Sequence, residues 1–224
     1  MMNKHLASWG ALILCALLIW GCGPADPAQT KLQETKSKAE QGDAKAQCSL
    51  GFMYIEGQGV AKDYAEAVKW LRKAADQNNA EAQYNLGGAY ASGSGVARDD
   101  AEALKWFRKA AELNNPDAQF NLGVAYAQGG TVPKDLAESV KWFLKAAEQN
   151  HGEAQSKLAY MYAAGAGVMR DPIQAHAWWN VAAANGDPDA LKNISTLEKE
   201  MAPQQMNQAV MLANEISARV NKKK

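Results

Sequence analysis

The chain has 224 residues, with 24 Lys and Arg against 24 Asp and Glu, so its formal net charge is zero. A neutral chain with a pI near 6.8 lacks the basic footprint that a phosphate backbone demands, which argues against nucleic acid as a partner. With 47% apolar residues and only 18 Gly and 7 Pro, it carries enough apolar surface to fold, which argues against a disordered chain.

Residues 1–5 form a short polar start containing Lys4, and residues 6–20 then run almost wholly apolar. These fifteen residues fall short of the roughly 20 that span a bilayer and fit the apolar core of a secretory signal. The run closes on Ile19-Trp20-Gly21-Cys22. This resembles a bacterial lipobox, in which a Cys after a small residue receives lipid and becomes the new first residue. Trp20 stands where a small or hydroxyl residue is usual, and the other candidate, Cys15, follows Leu14, a poor cleavage residue. The resemblance implies a lipoprotein signal peptide over 1–22 and a membrane anchor at the lipidated Cys22; an ordinary signal peptide or an uncleaved anchor is the alternative. Asp after the Cys tends to retain lipoproteins in the inner membrane. Gly23 is there instead, so the resemblance implies the bacterial outer membrane, with the protein facing the periplasm. Several acyl chains hold firmly, since each buried CH₂ contributes about 0.8 kcal/mol. Residues 23–28 read as a short linker. Only Cys48 then remains as a free thiol, so no intramolecular disulfide is expected and stability must come from packing.

The rest is dominated by a 36-residue period. Trp70, Trp106, Trp142 and Trp178 are each 36 apart, as are Leu50, Leu86, Leu122 and Leu158, then Tyr54, Tyr90, Tyr126 and Tyr162, and Asp63, Asp99, Asp135 and Asp171. No insertion breaks the register, which gives units 44–79, 80–115, 116–151 and 152–187, with a fifth start at Pro188-Asp189-Ala190 that degrades. Each unit reads as two helices. The first, 44–56 in unit one, ends at Gly57-Gln58-Gly59-Val60, and the glycine turn recurs as Gly93-Ser94-Gly95-Val96 and Gly165-Ala166-Gly167-Val168. Unit three differs, with Gly129-Gly130-Thr131-Val132-Pro133. The second helix starts at a capping box, Asp63 with Glu66, repeated as Asp99/Glu102, Asp135/Glu138 and Asp171/Gln174, with Pro172 at a first helical position. It stops at a column of Gly42, Asn78, Asn114, Asn150 and Gly186, residue types that accept a left-handed conformation. Gly42 therefore implies a helix before unit one, an N-terminal cap over 29–43.

On the first helix Ala46, Leu50 and Tyr54 share one side, with Cys48, Phe52 and Ile55 nearly opposite. A helix apolar on two sides is packed on two sides, as stacked repeats require. Gly51, Gly87 and Gly123 let helices approach closely, although each costs about 1 kcal/mol against Ala in a helix interior. On the second helix Ala67, Trp70, Leu71, Ala74 and Ala75 form a broad apolar arc, and Glu66/Lys69, Glu102/Lys105 and Glu138/Lys141 are solvated i,i+3 pairs.

These columns resemble the Sel-one-like repeat family, 36-residue relatives of tetratricopeptide repeats. Residues 81–87 (Glu-Ala-Gln-Tyr-Asn-Leu-Gly) carry the likeness, read with Tyr90, Gly93, Gly95-Val96, Asp99, Ala103, Trp106 and Ala110-Ala111. Asn78, Asn114 and Asn150 stand where that family usually has Gly. The resemblance implies an all-α fold, a right-handed α-solenoid of helix-turn-helix repeats acting as a protein-interaction scaffold. Residues 188–224 read as C-terminal capping helices. Leu191, Ile194 and Leu197 keep helical spacing, Ala202-Pro203 interrupts, and 206–220 reads as a last amphipathic helix with Val210, Ala213 and Ile216 inward. Arg219 and the lysines at 222–224 give it a cationic end, read as a solvated tail.

No constellation of catalytic or metal-ligating residues emerges, so no catalytic residue, metal or cofactor is expected. His151 and His176 lack ligand spacing, and Cys48 shares the packing column of Tyr84, Phe120 and Ser156. The Gly-x-Gly turns follow helices, not strands, and so are not phosphate loops. A cysteine-rich branch of the family is associated with penicillin binding, but this chain lacks its Cys pairs, and Thr35-x-x-Lys38 stands without supporting motifs. What remains is a polar stripe on the first helices. Glu81, Asn85, Ser92, Asp117, Asn121 and Gln128 represent it in the central units, with Lys45, Ser49 and Glu56 before them and Glu153, Lys157 and Ala164 after. In tetratricopeptide relatives first helices line the concave surface and use Asn to hold peptide backbones. The stripe is therefore the candidate partner-binding face. The expected function is a non-catalytic, lipid-anchored periplasmic scaffold binding another protein or peptide. The alternatives are an immunity or inhibitor lipoprotein against a periplasmic toxin, an assembly factor for export, and a β-lactamase-like envelope hydrolase.

Overall fold

The computed structural model describes residues 26–222, so the apolar run 6–20, the expected lipidation site Cys22 and the last two lysines lie outside the described residues. Among the described residues are eleven α-helices and one 3₁₀ turn, with no strand. They are α1 Pro27–Glu40, α2 Ala44–Glu56, α3 Tyr64–Asp76, α4 Ala80–Ser92, α5 Asp100–Glu112, α6 Pro116–Gln128, α7 Leu136–Ala147, α8 Gly152–Ala164, α9 Pro172–Ala184, α10 Ala190–Leu197, the turn Glu198–Glu200, and α11 Pro203–Asn221. Each helix packs on the next from α1 to α9, and α9 then takes both α10 and α11. The fold is an all-α solenoid of helix pairs.

Local chemistry sets the helix ends. Asp63, Asp99 and Asp135 accept the amides of Glu66, Glu102 and Glu138 at 2.9 Å, and Asp171 accepts that of Gln174 at 3.0 Å. The reciprocal arm of the expected capping box is not made in α3, α5 and α7. The N-cap amides of Asp63, Asp99 and Asp135 instead donate to the carbonyls of Tyr54, Tyr90 and Tyr126 in the preceding helix, at 2.9–3.0 Å. That frees Glu66, Glu102 and Glu138 to pair with Lys69, Lys105 and Lys141 at 2.7–2.9 Å. The first helices have a cap column of their own, absent from the sequence reading: Asp43, Asn79, Asn115 and His151 each accept the amide three residues on. Asn78, Asn114 and Asn150 do adopt positive φ, at 61°, 64° and 67°.

The turn inside each unit explains why unit three departs. A Cβ on Gly95 would lie 2.1 Å from the Tyr64 carbonyl oxygen, so the turn presses its backbone onto the start of α3. Thr131 holds that column in unit three, and its side chain forbids the same approach. The chain there uses Gly129 at ψ −165° and Gly130 at φ 104° to pass differently.

Leu50, Leu86, Leu122 and Leu158 are fully buried at the centre of successive units, ringed by the alanine columns and by buried Trp70, Trp106, Trp142 and Trp178. Lys73, Lys109 and Lys145 lay their ammonium groups 3.9–4.1 Å from the centres of the first three indoles, closing the rings off from solvent. Gly51, Gly87 and Gly123 face Leu71, Phe107 and Phe143 at 2.6–2.8 Å from a would-be Cβ, so these glycines set the helix separation.

A buried glutamine ladder, also unread in the sequence, joins neighbouring units. Gln47, Gln83, Gln119 and Gln155 donate to the carbonyls of Ala39, Ala75, Ala111 and Ala147 at the end of the preceding helix, at 3.0–3.2 Å. The amide oxygens of Gln47, Gln119 and Gln155 accept from Gln77, Gln149 and Asn185 at 2.7–2.8 Å. In the remaining unit the donor column holds Leu113, and the Gln83 oxygen is buried without a partner.

The C-terminal cap corrects one expectation. Val210 points outward at 49% exposure, and the inward stripe is Ala209, Ala213, Ile216 and Val220. Those four follow one i, i+4, i+7, i+11 line, and the small Ala209 lets α11 lie close on α9. Val210, turned about 100° from Ala209, cannot share that line. Under this cover α9 is buried almost all round, with Ala177 and Val181 where earlier units have the solvated lysines.

Candidate partner-binding groove

The first helices of units two to four, with the 185–188 loop, enclose a groove of about 850 Å³. Tyr84 comes from α4, Asp117, Phe120 and Asn121 from α6, and Glu153, Ser156 and Lys157 from α8, with His151 at its start. The helix N-termini aim their first turns at this face, so Asp117 and Glu153 sit where the helix dipole favours a carboxylate.

His151 fixes the groove chemistry. As N-cap of α8 its Nδ1 accepts the Ala154 amide at 3.1 Å, which requires an unprotonated Nδ1 and places the ring proton on Nε2. That Nε2 faces Asp117 Oδ1 at 3.4 Å, and the ring stacks on Phe120 with centroids 4.7 Å apart. Phe120 is braced in turn by Phe143 at 5.7 Å, and Tyr84 likewise by Phe107. Burial, then the charge of Asp117, pushes the Tyr84 phenol above its ordinary range, with Asn121 bonded to it in opposition and Glu153 adding a smaller push. At the far end Asp187 accepts from the Ser156 hydroxyl and from the amides of Asp189 and Ala190, and the Ser156 bond is the main cause that holds its carboxyl below the usual range.

The six stripe residues do not share one site. Asp117 and Asn121 line the groove. Asn121 and Gln128 also line a crevice of about 340 Å³ between α5 and α6, bounded by Gly129 and Thr131 of the unit-three turn. Asn85 and Ser92 line its counterpart of about 210 Å³ between α3 and α4. Their polar groups turn back on their own helix, Asn85 to the Glu81 carbonyl at 2.7 Å and Ser92 to the Gly88 carbonyl at 2.9 Å. Glu81 is exposed in its helix's first turn, and its charge, after burial, helps push the Cys48 thiol up to about 12. Tyr84, Phe120, His151, Ser156 and Asp187 were missed as groove residues. Tyr84, Phe120 and Ser156 share the packing column of Cys48, yet all three are only half-buried. Among the described residues no three His, Cys, Asp or Glu side chains gather as a metal would need.

The Sel1 repeat matches four times, at residues 44–79, 80–115, 116–151 and 152–187. The chain belongs to the Sel1 repeat family. A solved Sel1 repeat protein from Oxalobacter formigenes is similar at 36% identity and a TM-score of 0.74, over 76% of this chain and 50% of that one. A protective antigen of uropathogenic Escherichia coli strains, displaying an SLR fold, is similar at 32% identity and a TM-score of 0.57, over 95% of this chain and 55% of that one. In sequence, 42 residues are 46% identical to the secretory immunoglobulin A-binding protein EsiB of Escherichia coli O6:H1, which is 19% of this chain and 9% of that protein. The chain thus spans about half the length of these two solved relatives and a small part of EsiB. Two immunity proteins of Pseudomonas aeruginosa, at 19–20% identity and TM-scores of 0.50–0.51, share the fold. Sel1 repeats generally mediate contacts between proteins.

Proposed function

We propose that the protein is a non-catalytic scaffold, tethered through lipidated Cys22 to the periplasmic face of the outer membrane, that binds a protein or peptide along its first helices. One observation carries the binding reading: the groove walled by α4, α6 and α8, with aromatic and hydrogen-bonding side chains from successive units at its surface. Of the stripe residues, Asp117 and Asn121 are its contact face, and Glu81, Asn85, Ser92 and Gln128 lie outside it. The test is a crosslinking pull-down from membranes with the full chain and with Asp117→Ala/Asn121→Ala. The double variant is expected to melt like the parent and to capture less of the crosslinked partner; equal capture overturns the groove. For the tether, Cys22→Ser is expected to abolish metabolic palmitate labelling, and labelling that survives removes the lipoprotein reading. An immunity lipoprotein is a narrower form of the same proposal, motivated by the fold shared with the two Pseudomonas aeruginosa proteins. Co-expression with a toxin encoded beside the gene tests it.

A further inference from the structure

We propose that the groove selects a cationic side chain, Lys or Arg, presented on an extended segment of the partner; this rests on the groove reading above. The argument is one of charge complementarity and of surface type. Asp117, Glu153 and Asp187 bring three carboxylates to the groove against the one ammonium of Lys157. Nδ1 of His151 is occupied as an acceptor from the Ala154 amide, so the ring turns only its Nε2 edge to Asp117. Among the described residues neither Asp117 nor Glu153 is ion-paired to a Lys or Arg. Asp117, with its side chain 53% exposed, faces the His151 Nε2 at 3.4 Å. The carboxylates lie beside an aromatic ring: Tyr84, contributed by the neighbouring unit, lines the same space, while Phe120 stacks on His151 and holds that ring in the wall. Carboxylates beside ring faces attract a cation by two additive routes, direct Coulomb attraction and the ring quadrupole. An anionic segment meets repulsion from the carboxylates, and a purely apolar one leaves them facing it unpaired. Asn121, at the groove's edge and next to the Tyr84 hydroxyl, is placed to bond the backbone that carries the cation.

Fluorescence anisotropy with the purified full chain in detergent tests this, using two labelled ten-residue probes, alternating Arg-Ala and alternating Glu-Ala. The Arg probe is expected to bind and the Glu probe not. Affinity for the Arg probe is expected to fall as ionic strength rises from about 0.01 M to about 0.15 M, where the screening length contracts from about 30 Å to about 8 Å. Asp117→Asn/Glu153→Gln is expected to weaken it about tenfold, and Tyr84→Leu, which keeps bulk but removes the ring face, about threefold. Glu102→Gln/Glu138→Gln on the second-helix surface is expected to change nothing. Equal binding of both probes, parent-like binding by the Asp117/Glu153 variant, or an equal loss from the Glu102/Glu138 control overturns the proposal. The crosslinked partner separates it from the groove reading. If Tyr84→Leu/Phe120→Leu releases that partner while Asp117→Asn/Glu153→Gln does not, cation selection falls and the groove stands; a partner indifferent to both sets removes both. Circular-dichroism melts that match the parent establish that each variant is folded.

Discussion

Leu113 occupies the one position in its column that carries no amide, and Gln83 is left with a buried carbonyl oxygen unsatisfied. Restoring the donor with Leu113→Gln is expected to raise stability by about 1 kcal/mol, the usual net yield of a hydrogen bond that satisfies a buried group. A urea melt reads it, and an unchanged midpoint rejects the ladder as an energetic link between units. Gly88 makes the opposite point about glycine. A Cβ there meets nothing within 4 Å, and Phe52, Val124 and Tyr160 stand in its column. Gly88→Ala is therefore expected to stabilise by about 0.5–1 kcal/mol, while Gly95→Ala, facing the Tyr64 carbonyl, is expected to destabilise. Cys48, pushed up to about 12 by burial and then by Glu81, stays a thiol at pH 8 and is expected to resist a disulfide reagent until denaturant is added. Its folded value lies above its unfolded one, so its contribution to stability is whole below about pH 9 and is lost as pH rises towards about 12. The leucine and tryptophan columns were legible in the sequence because burial repeats with the period. The glutamine ladder was not, because a buried Gln looks like a surface Gln until its partner on the next unit is known.

At the scale of the helix, start and stop signals read from single residues held wherever the chemistry was local. Asp at the N-cap and Asn at positive φ needed no knowledge of tertiary structure. The reach-back of Glu66, Glu102 and Glu138 failed because the amide it would have bonded is claimed by a tyrosine carbonyl nine residues earlier, a contact created by the turn between the two helices. The energetic consequence is asymmetric. Asp99→Ala is expected to cost about 1–2 kcal/mol through the lost cap, whereas Glu102→Ala forfeits only its exposed pair with Lys105, about 0.2–0.5 kcal/mol. Thermal melts of the two variants decide between them, and equal losses restore the reciprocal box. The inward face of α11 departs from the one expected of its periodicity for a similar reason. Period alone admits Val210 as readily as Ala209, and only the closeness of α9 chooses the smaller residue.

Among the described residues the two ends of the array are unequal. The C-terminal end is sealed by a 19-residue helix that covers α9 and buries Ala209, Ala213, Ile216 and Val220. The N-terminal helix α1 buries only Ala39, with Leu32 half-covered and Gln29 bonded to the Gly59 carbonyl at 2.8 Å. In a linear array each unit is held by its neighbours alone, so hydrogen exchange is expected to be fastest in α1 and α2 and slowest around α9. Uniform protection along the chain rejects this gradient. The groove belongs to this scale too, which is why so little of it was legible. Asp117 and Asn121 were found because they are polar on a predicted face. Tyr84, His151 and Asp187 come from three other places in the chain and meet only once the units have stacked. The thin closure at α1 also has a mechanical meaning. If the chain is tethered ahead of Asp26, any pull on its partner is transmitted to the tether through α1, the least supported helix of the array. Such a load would peel repeats off in series from that end, lengthening the tether stepwise while the sealed far end, with units three and four, keeps its shape.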